Sequence, residues 1–121
     1  MANASTLDER TYRRLLDDTF HRIDAAFENV DPDLAESILS QGTLTIQFAD
    51  GRRCILSPQA PVRQLWVAFR DRAWHLDVDP ATGRWTDDRG EGIELDGLIA
   101  DVVRKAAGLE LPGLKPQSAT P

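Results

Sequence analysis

Between Thr43 and Phe69, apolar and polar positions alternate with the period of strands that bury one face and wet the other. Leu44, Ile46 and Phe48 interleave with Thr43, Thr45 and Gln47, and Asp50-Gly51 supplies a turn. Arg52 to Ser57 reads as the returning strand, while Leu65, Val67 and Phe69 make a third. Pro58 and Pro61 bar helix from the link between them. On this phase Trp66 points away from Leu65 and Val67, toward water. Leu34 to Leu39 is a further strand candidate before a Gln41-Gly42 turn. Ala73 to Val78 sets Trp74, Leu76 and Val78 against His75 and Asp77, and Trp85 sits on a short last strand.

At both ends the period changes to that of a helix. Tyr12, Leu16, Thr19, Phe20, Ile23, Phe27 and Val30 recur at intervals that place them on one helical face. Ser5 or Thr6 would cap this helix near Leu7, and Asp31-Pro32 would end it near Val30, because the residue before proline avoids helical geometry. Leu95, Leu98, Ile99, Val102, Val103 and Ala106 form a second such face, with Arg104 and Lys105 at its negative end and Gly108 as its C-cap. A helix, a run of strands and a helix predict an α+β sandwich: two helices packed on one face of a single antiparallel β-sheet, with the other face open. Residues 1–6 and 115–121 read as disordered ends of a single domain over 7–114. Leu109, Leu111 and Leu114 fall where the chain could fold back between the helices.

A chain of 121 residues supports one core. Its single Cys54 excludes an internal disulfide and any multi-cysteine metal site within the chain. The formal charge of −6 argues against nucleic acid, whose phosphates want a basic surface. No apolar run reaches membrane-spanning length, and the N-terminus lacks the basic start and apolar stretch of a secretory signal, so a cytoplasmic protein is expected. The acidity is uneven. Ten carboxylates face four arginines before Gly51, and ten face ten basic residues after it. A negative field therefore surrounds the N-terminal half, suited to cations or a basic partner.

Within that half, Asp17, His21, Asp24, Glu28 and Asp31 form a second stripe on the first helix, beside the apolar one. Asp18 adjoins it, and Asp33 and Glu36 extend it toward the sheet edge. Two readings stand at this point. One is a solvated face supported by Arg13–Asp17, Arg14–Asp18 and Asp18–Arg22 pairs four residues apart. The other is a cation surface, since Asp24, Glu28 and Asp31 have no basic residue between them, and carboxylates suit hard cations such as iron, Mn²⁺, Ca²⁺ or Mg²⁺. At about 1.5 Å per residue the stripe is too long for one ion, so several weak, exposed sites are expected.

The uncovered sheet face gives a second constellation: Thr45, Gln47, Ser57, Gln59, Arg63, Gln64, Trp66 and His75. A tryptophan ringed by arginine and amides on a flat sheet has the make-up of a protein-binding hot spot. Cys54 reads as a packed thiol, and Ser57 with His75 does not make a catalytic set, because nothing places a base and an orienting acid beside a strained serine. No phosphate loop, HExxH or dinucleotide fingerprint is found. Only ferroxidase-like iron chemistry is left for an enzyme.

Gly-Thr-Leu-Thr-Ile-Gln-Phe, Pro-Gln-Ala-Pro and Gln-Leu-Trp closely resemble the signature strands of the frataxin family, including its bacterial CyaY type. The likeness runs on through Leu-Asp-Glu-Arg-Thr-Tyr before the first helix, the acidic run after it, Trp85 and the closing helix. The resemblance implies a protein that binds ferrous or ferric iron weakly and reversibly, and regulates or supplies iron for iron–sulfur cluster assembly. It carries metal binding onto Asp17, Asp24, Glu28, Asp31 and Glu36, with His21, Asp18 and Asp33 as further candidates. It also implies that the Trp66 face contacts a cysteine desulfurase and a scaffold protein, with the chain a monomer that metal could drive into oligomers. The alternative is a weak ferroxidase or iron-storage protein acting through oligomers. Ala25, Ala26 and Leu34 depart from the acids common in relatives, and Arg-Asp-Arg-Ala-Trp74-His75 replaces a small, Gly-rich lead into the next strand.

Overall fold

The computed structural model describes residues 7–114. The ends expected to be disordered, and the caps Ser5 and Thr6, lie outside the described residues. Helix α1 (Glu9–Ala25) is followed by strands β1 (Ala35–Ser40), β2 (Thr43–Phe48), β3 (Arg53–Gln59), β4 (Gln64–Phe69), β5 (Arg72–Asp79) and β6 (Arg84–Asp87), and then helix α2 (Leu95–Ala107). All six strands form one antiparallel sheet in sequence order, so each pairs with its chain neighbour. Both helices lie on one face, giving the expected α+β sandwich.

The alternation read along the strands sets the burial. Leu44, Ile46, Leu56, Leu65, Val67 and Leu76 are fully buried beneath the helices, which contribute Tyr12, Ile23, Ile99 and Val103. Each such side chain stabilises the fold by about 1.5–3 kcal/mol. Two polar bonds tie α1 into this layer. Trp85 Nε1–H donates to Thr19 Oγ1 at 2.9 Å, and Tyr12 Oη–H donates to the Gln64 carbonyl at 2.6 Å while accepting from the Gln59 N–H at 3.1 Å. Leu111 and Leu114 are buried as well, and Gly113 lies against Ala26 at the end of α1.

Several boundaries differ from the expected ones. Helix α1 is capped by Asp8, whose carboxylate accepts from the Thr11 N–H at 2.8 Å, and Leu7 and Tyr12 flank the cap as core residues. The helix also ends at Ala25 rather than near Val30. Beyond it the chain continues in turns whose bonds span three residues, from Phe27 N to Asp24 O and from Glu28 N to Ala25 O. Spacings of three and four bury Phe27 equally well in a helix or in such turns, so periodicity could not mark the end. Strand β3 runs on through Pro58, expected in the link, to Gln59, and the shorter link that follows holds one 3₁₀ turn, Ala60–Val62, containing Pro61.

Candidate functional site

The early end of α1 divides the acidic stripe. Asp17, Asp18 and His21 remain exposed on the helix, where the His21 Nδ1 lies 2.8 Å from the Asp17 carbonyl. Glu28 and Asp31 leave the helix for the turns after it, so the five stripe residues do not share one helical face as expected. The fold instead gathers Asp24, Glu28 and Glu36 around a shallow cleft of about 300 Å³ between the end of α1 and β1. Asp24, half-buried, accepts a short hydrogen bond from the Ser37 hydroxyl, which locks one carboxylate oxygen to the sheet edge. Asp31 is committed locally, accepting from the Asp33 N–H at 2.9 Å. Among the described residues, no three His, Cys, Asp or Glu side chains stand close enough to hold one ion as they are placed.

The expected ion pairs are partly rearranged. Arg14 and Asp18 do approach, at 3.9 Å, but Arg13 pairs with Glu9 at 2.9 Å instead of Asp17. Arg22 reaches across to α2, where its guanidinium forks onto both oxygens of Asp96 at 2.7 and 2.9 Å. A pairing rule confined to one helix cannot find such a bond between helices.

On the uncovered face the register lines up Ser57, Trp66 and His75 across β3, β4 and β5. The Trp66 indole stacks on the His75 ring at 4.2 Å between centroids, inclined by 17°. Its Nε1–H donates to Gln64 Oε1 at 2.9 Å. Gln64 in turn donates through Nε2 to Asp77 at 3.1 Å and to Asp88 at 3.0 Å. The loop carrying Asp88 is held by its neighbour Asp87, whose carboxylate accepts backbone N–H bonds from Arg89, Glu91 and Ile93 at 3.1, 3.0 and 2.9 Å. Those bonds lower the Asp87 pKa below its ordinary value, the one from Glu91 most. The platform is therefore built from Gln64, His75 and an acidic loop.

Thr45, Gln47, Ser57 and Gln59 lie on the Trp66 side by strand parity, but Arg63 does not. It has the parity of Leu65 and Val67, and its left-handed φ of 53° closes the 3₁₀ turn just before β4. The guanidinium turns to the helix side, donating to the carbonyls of Ala60 and Leu7 and lying 5.9 Å from the Tyr12 ring centre. Two residues outside the expected constellation, Ile38 and Ile55, flank Thr45 across the sheet on the same face and are exposed. Their alternation with Ala35 and Cys54 or Leu56 was the available signal. Cys54 is buried, and burial pushes its thiol up to about 12, leaving it a packing residue.

The frataxin-like domain family matches residues 5–109 of the chain. The chain belongs to the frataxin family. It is 39% identical over 106 residues to the iron-sulfur cluster assembly protein CyaY of Azotobacter vinelandii, covering 88% of this chain and 94% of the relative. It is 36% identical over 110 residues to the protein of the same name from Pseudomonas aeruginosa, covering 89% of this chain and the whole of that one. The solved frataxin of Psychromonas ingrahamii shares the fold at a TM-score of 0.79, with 21% identity over 89% of this chain and 99% of that one. This frataxin-family fold places the acidic edge at β1 and the Trp66 platform on the central strands β3 to β5. No helix among its described residues is long and apolar enough to cross a membrane.

Proposed function

We propose that this frataxin-family protein takes part in iron–sulfur cluster assembly in the cytoplasm, carrying iron on its acidic edge and docking on a cysteine desulfurase and scaffold complex through the Trp66 face. The observation that carries the reading is the near full-length similarity to two proteins named for iron–sulfur cluster assembly. Two features of the fold support the division of labour. The carboxylates of Asp24, Glu28 and Glu36 border one open cleft, and oxygen donors that water can reach hold a hard cation loosely enough to release it. Asp17 and His21 on α1, and Asp31 and Asp33 on the turns before β1, would supply further weak contacts, whereas Asp18 faces Arg14, Arg22 and the β5–β6 turn instead. The Trp66 indole is fixed by a ring stack and a hydrogen bond, so little side-chain freedom remains to be lost when a partner covers it. Thr45, Gln47, Ser57 and Gln59 extend that surface.

The test is cluster assembly reconstituted with desulfurase, scaffold and ferrous iron. Wild-type protein changes the assembly rate in an iron-dependent manner. Trp66→Ala abolishes the effect by loss of binding, whereas the double change Asp24→Asn with Glu28→Gln retains binding but blunts the response to iron. An assembly rate indifferent to the protein at all iron concentrations refutes the proposal. Iron oxidation faster than in buffer alone would favour a ferroxidase instead.

A further inference from the structure

Arg70, Asp71, Arg72 and Trp74 form one wall of a separate groove. The cavity, about 310 Å³, lies between the β4–β5 turn and α2. Its floor is apolar, made of Phe69, Trp74, Leu98 and Val102. Arg70, Arg72 and Lys105 stand exposed at its rim, and none of the three makes an ion pair among the described residues. Two carboxylates also border the cavity. Asp101 is taken by Arg104 at 3.0 Å, which leaves Asp71 against three cations within this groove, although Arg72 also borders a neighbouring cleft with Asp87, Asp88 and Glu91. The Arg72 guanidinium lies 4.9 Å from the Trp74 ring centre, covering an indole that is half-buried. Arg70 holds a φ of +60° in a two-residue turn where glycine or asparagine would relieve strain.

This groove is distinct from both surfaces already described. Trp74 shares the helix side of the sheet with Leu76 and Val78, opposite Trp66, and β5 lies four strand spacings, roughly 19 Å, from the acidic edge at β1. An unpaired basic rim on a chain of net charge −6 is a local reversal of the overall field. The volume is at the lower limit of ligand clefts, room for a large side chain or two. The cations come from both the turn and α2, so they surround the floor instead of converging on one point. That layout fits several carboxylates spaced along a peptide better than one small anion.

We infer that the groove between the β4–β5 turn and α2 binds an acidic peptide segment of a partner, seating a large apolar side chain on Trp74 and Leu98 and pairing flanking carboxylates with Arg70, Arg72 and Lys105. Trp74 would be the aromatic anchor and the rim would set orientation and on-rate.

The test is NMR titration of the ¹⁵N-labelled full chain with a blocked Asp-Glu-Leu-Phe-Asp-Glu peptide. The Trp74 indole N–H and the amides of residues 70–72 and 98–105 should shift while the Trp66 indole stays in place. A peptide with Ser-Ser in place of Leu-Phe, and one with Lys-Lys flanks, should each bind at least tenfold more weakly. Lys105→Glu alone, an exposed change on a stable helix, should weaken the acidic peptide severalfold, and R70E/K105E at least tenfold. Absence of shifts, shifts centred on the Trp66 face, unchanged affinity in both variants, or binding of phosphatidylglycerol vesicles in place of the peptide would each overturn the assignment.

Discussion

Trp66 and His75 stack face to face across β4 and β5, 4.2 Å between ring centroids, on the side of the sheet that no helix among the described residues covers. Leu65 and Val67, the neighbours of Trp66 in sequence, are fully buried on the other side. One strand thus alternates buried core residues with residues of the uncovered platform. Leu65→Ala should destabilise the protein by roughly 2–5 kcal/mol, because it opens a cavity under the helices. Trp66→Ala should cost only about 1 kcal/mol, the scale of its one hydrogen bond and partial burial. Chemical denaturation of the two variants measures both numbers, and comparable losses would mean that the indole serves the fold.

Thr19 and Trp85 share the buried bond that joins α1 to β6. Thr19→Val keeps the shape but leaves the indole N–H without a partner, at a cost of about 1–3 kcal/mol. Thr19→Ser keeps the donor–acceptor pair and should lose less. Urea midpoints for the two variants distinguish a polar contribution from a packing one.

Asp87 gives the protein an acid-sensitive loop. Its folded pKa is depressed by backbone N–H bonds, so the stabilisation is present above the ordinary value of 3.8 and is lost as pH falls through the folded value. Asp87→Asn cannot accept all three bonds and should be less stable than wild type at neutral pH. The gap between the two proteins should close as the pH drops below about 3.8. Melting curves across the acid range test this, and a gap independent of pH would assign the loss to shape alone.

The acidic edge should respond to screening. Asp24, Glu28 and Glu36 border one cleft without an ion pair to any basic side chain among the described residues. Salt relieves like-charge repulsion, and a cation bound to the native state adds stability by mass action. The thermal midpoint should therefore rise with both sodium chloride and divalent metal, and the metal increment should shrink in a D24N/E28Q protein. A midpoint indifferent to both would make the edge an ordinary solvated surface.

The range of each interaction decides whether the sequence discloses it. Alternation within a strand is a local property, so the outward placement of Trp66 and the burial of Leu44, Leu56 and Val67 could be read directly. The two apolar helix faces were legible for the same reason. Contacts between distant elements were not: Arg22 with Asp96, Tyr12 with Gln59 and Gln64, and Gln64 with Asp88 depend on how layers meet. Arg63 has the parity of Leu65 and Val67, so the alternation that turns Trp66 outward already assigns Arg63 to the helix side, and its expected place beside Trp66 does not follow from the strand period. The stripe was overextended because spacings of three and four do not separate a helix from the turns beyond Ala25. The cleft of Asp24, Glu28 and Glu36 needed the return of β1 beside α1, which no periodicity reports.

The proposed separation of an iron-carrying edge from a partner-docking face is most directly tested by adding ferrous iron to the ¹⁵N-labelled protein under anaerobic conditions. Paramagnetic broadening should centre on the amides of Asp24, Glu28 and Glu36 and weaken along α1 toward Asp17, while the Trp66 indole N–H stays sharp. Broadening centred on His75 and Asp88, or none at Asp24, Glu28 or Glu36, would contradict the separation of the two surfaces.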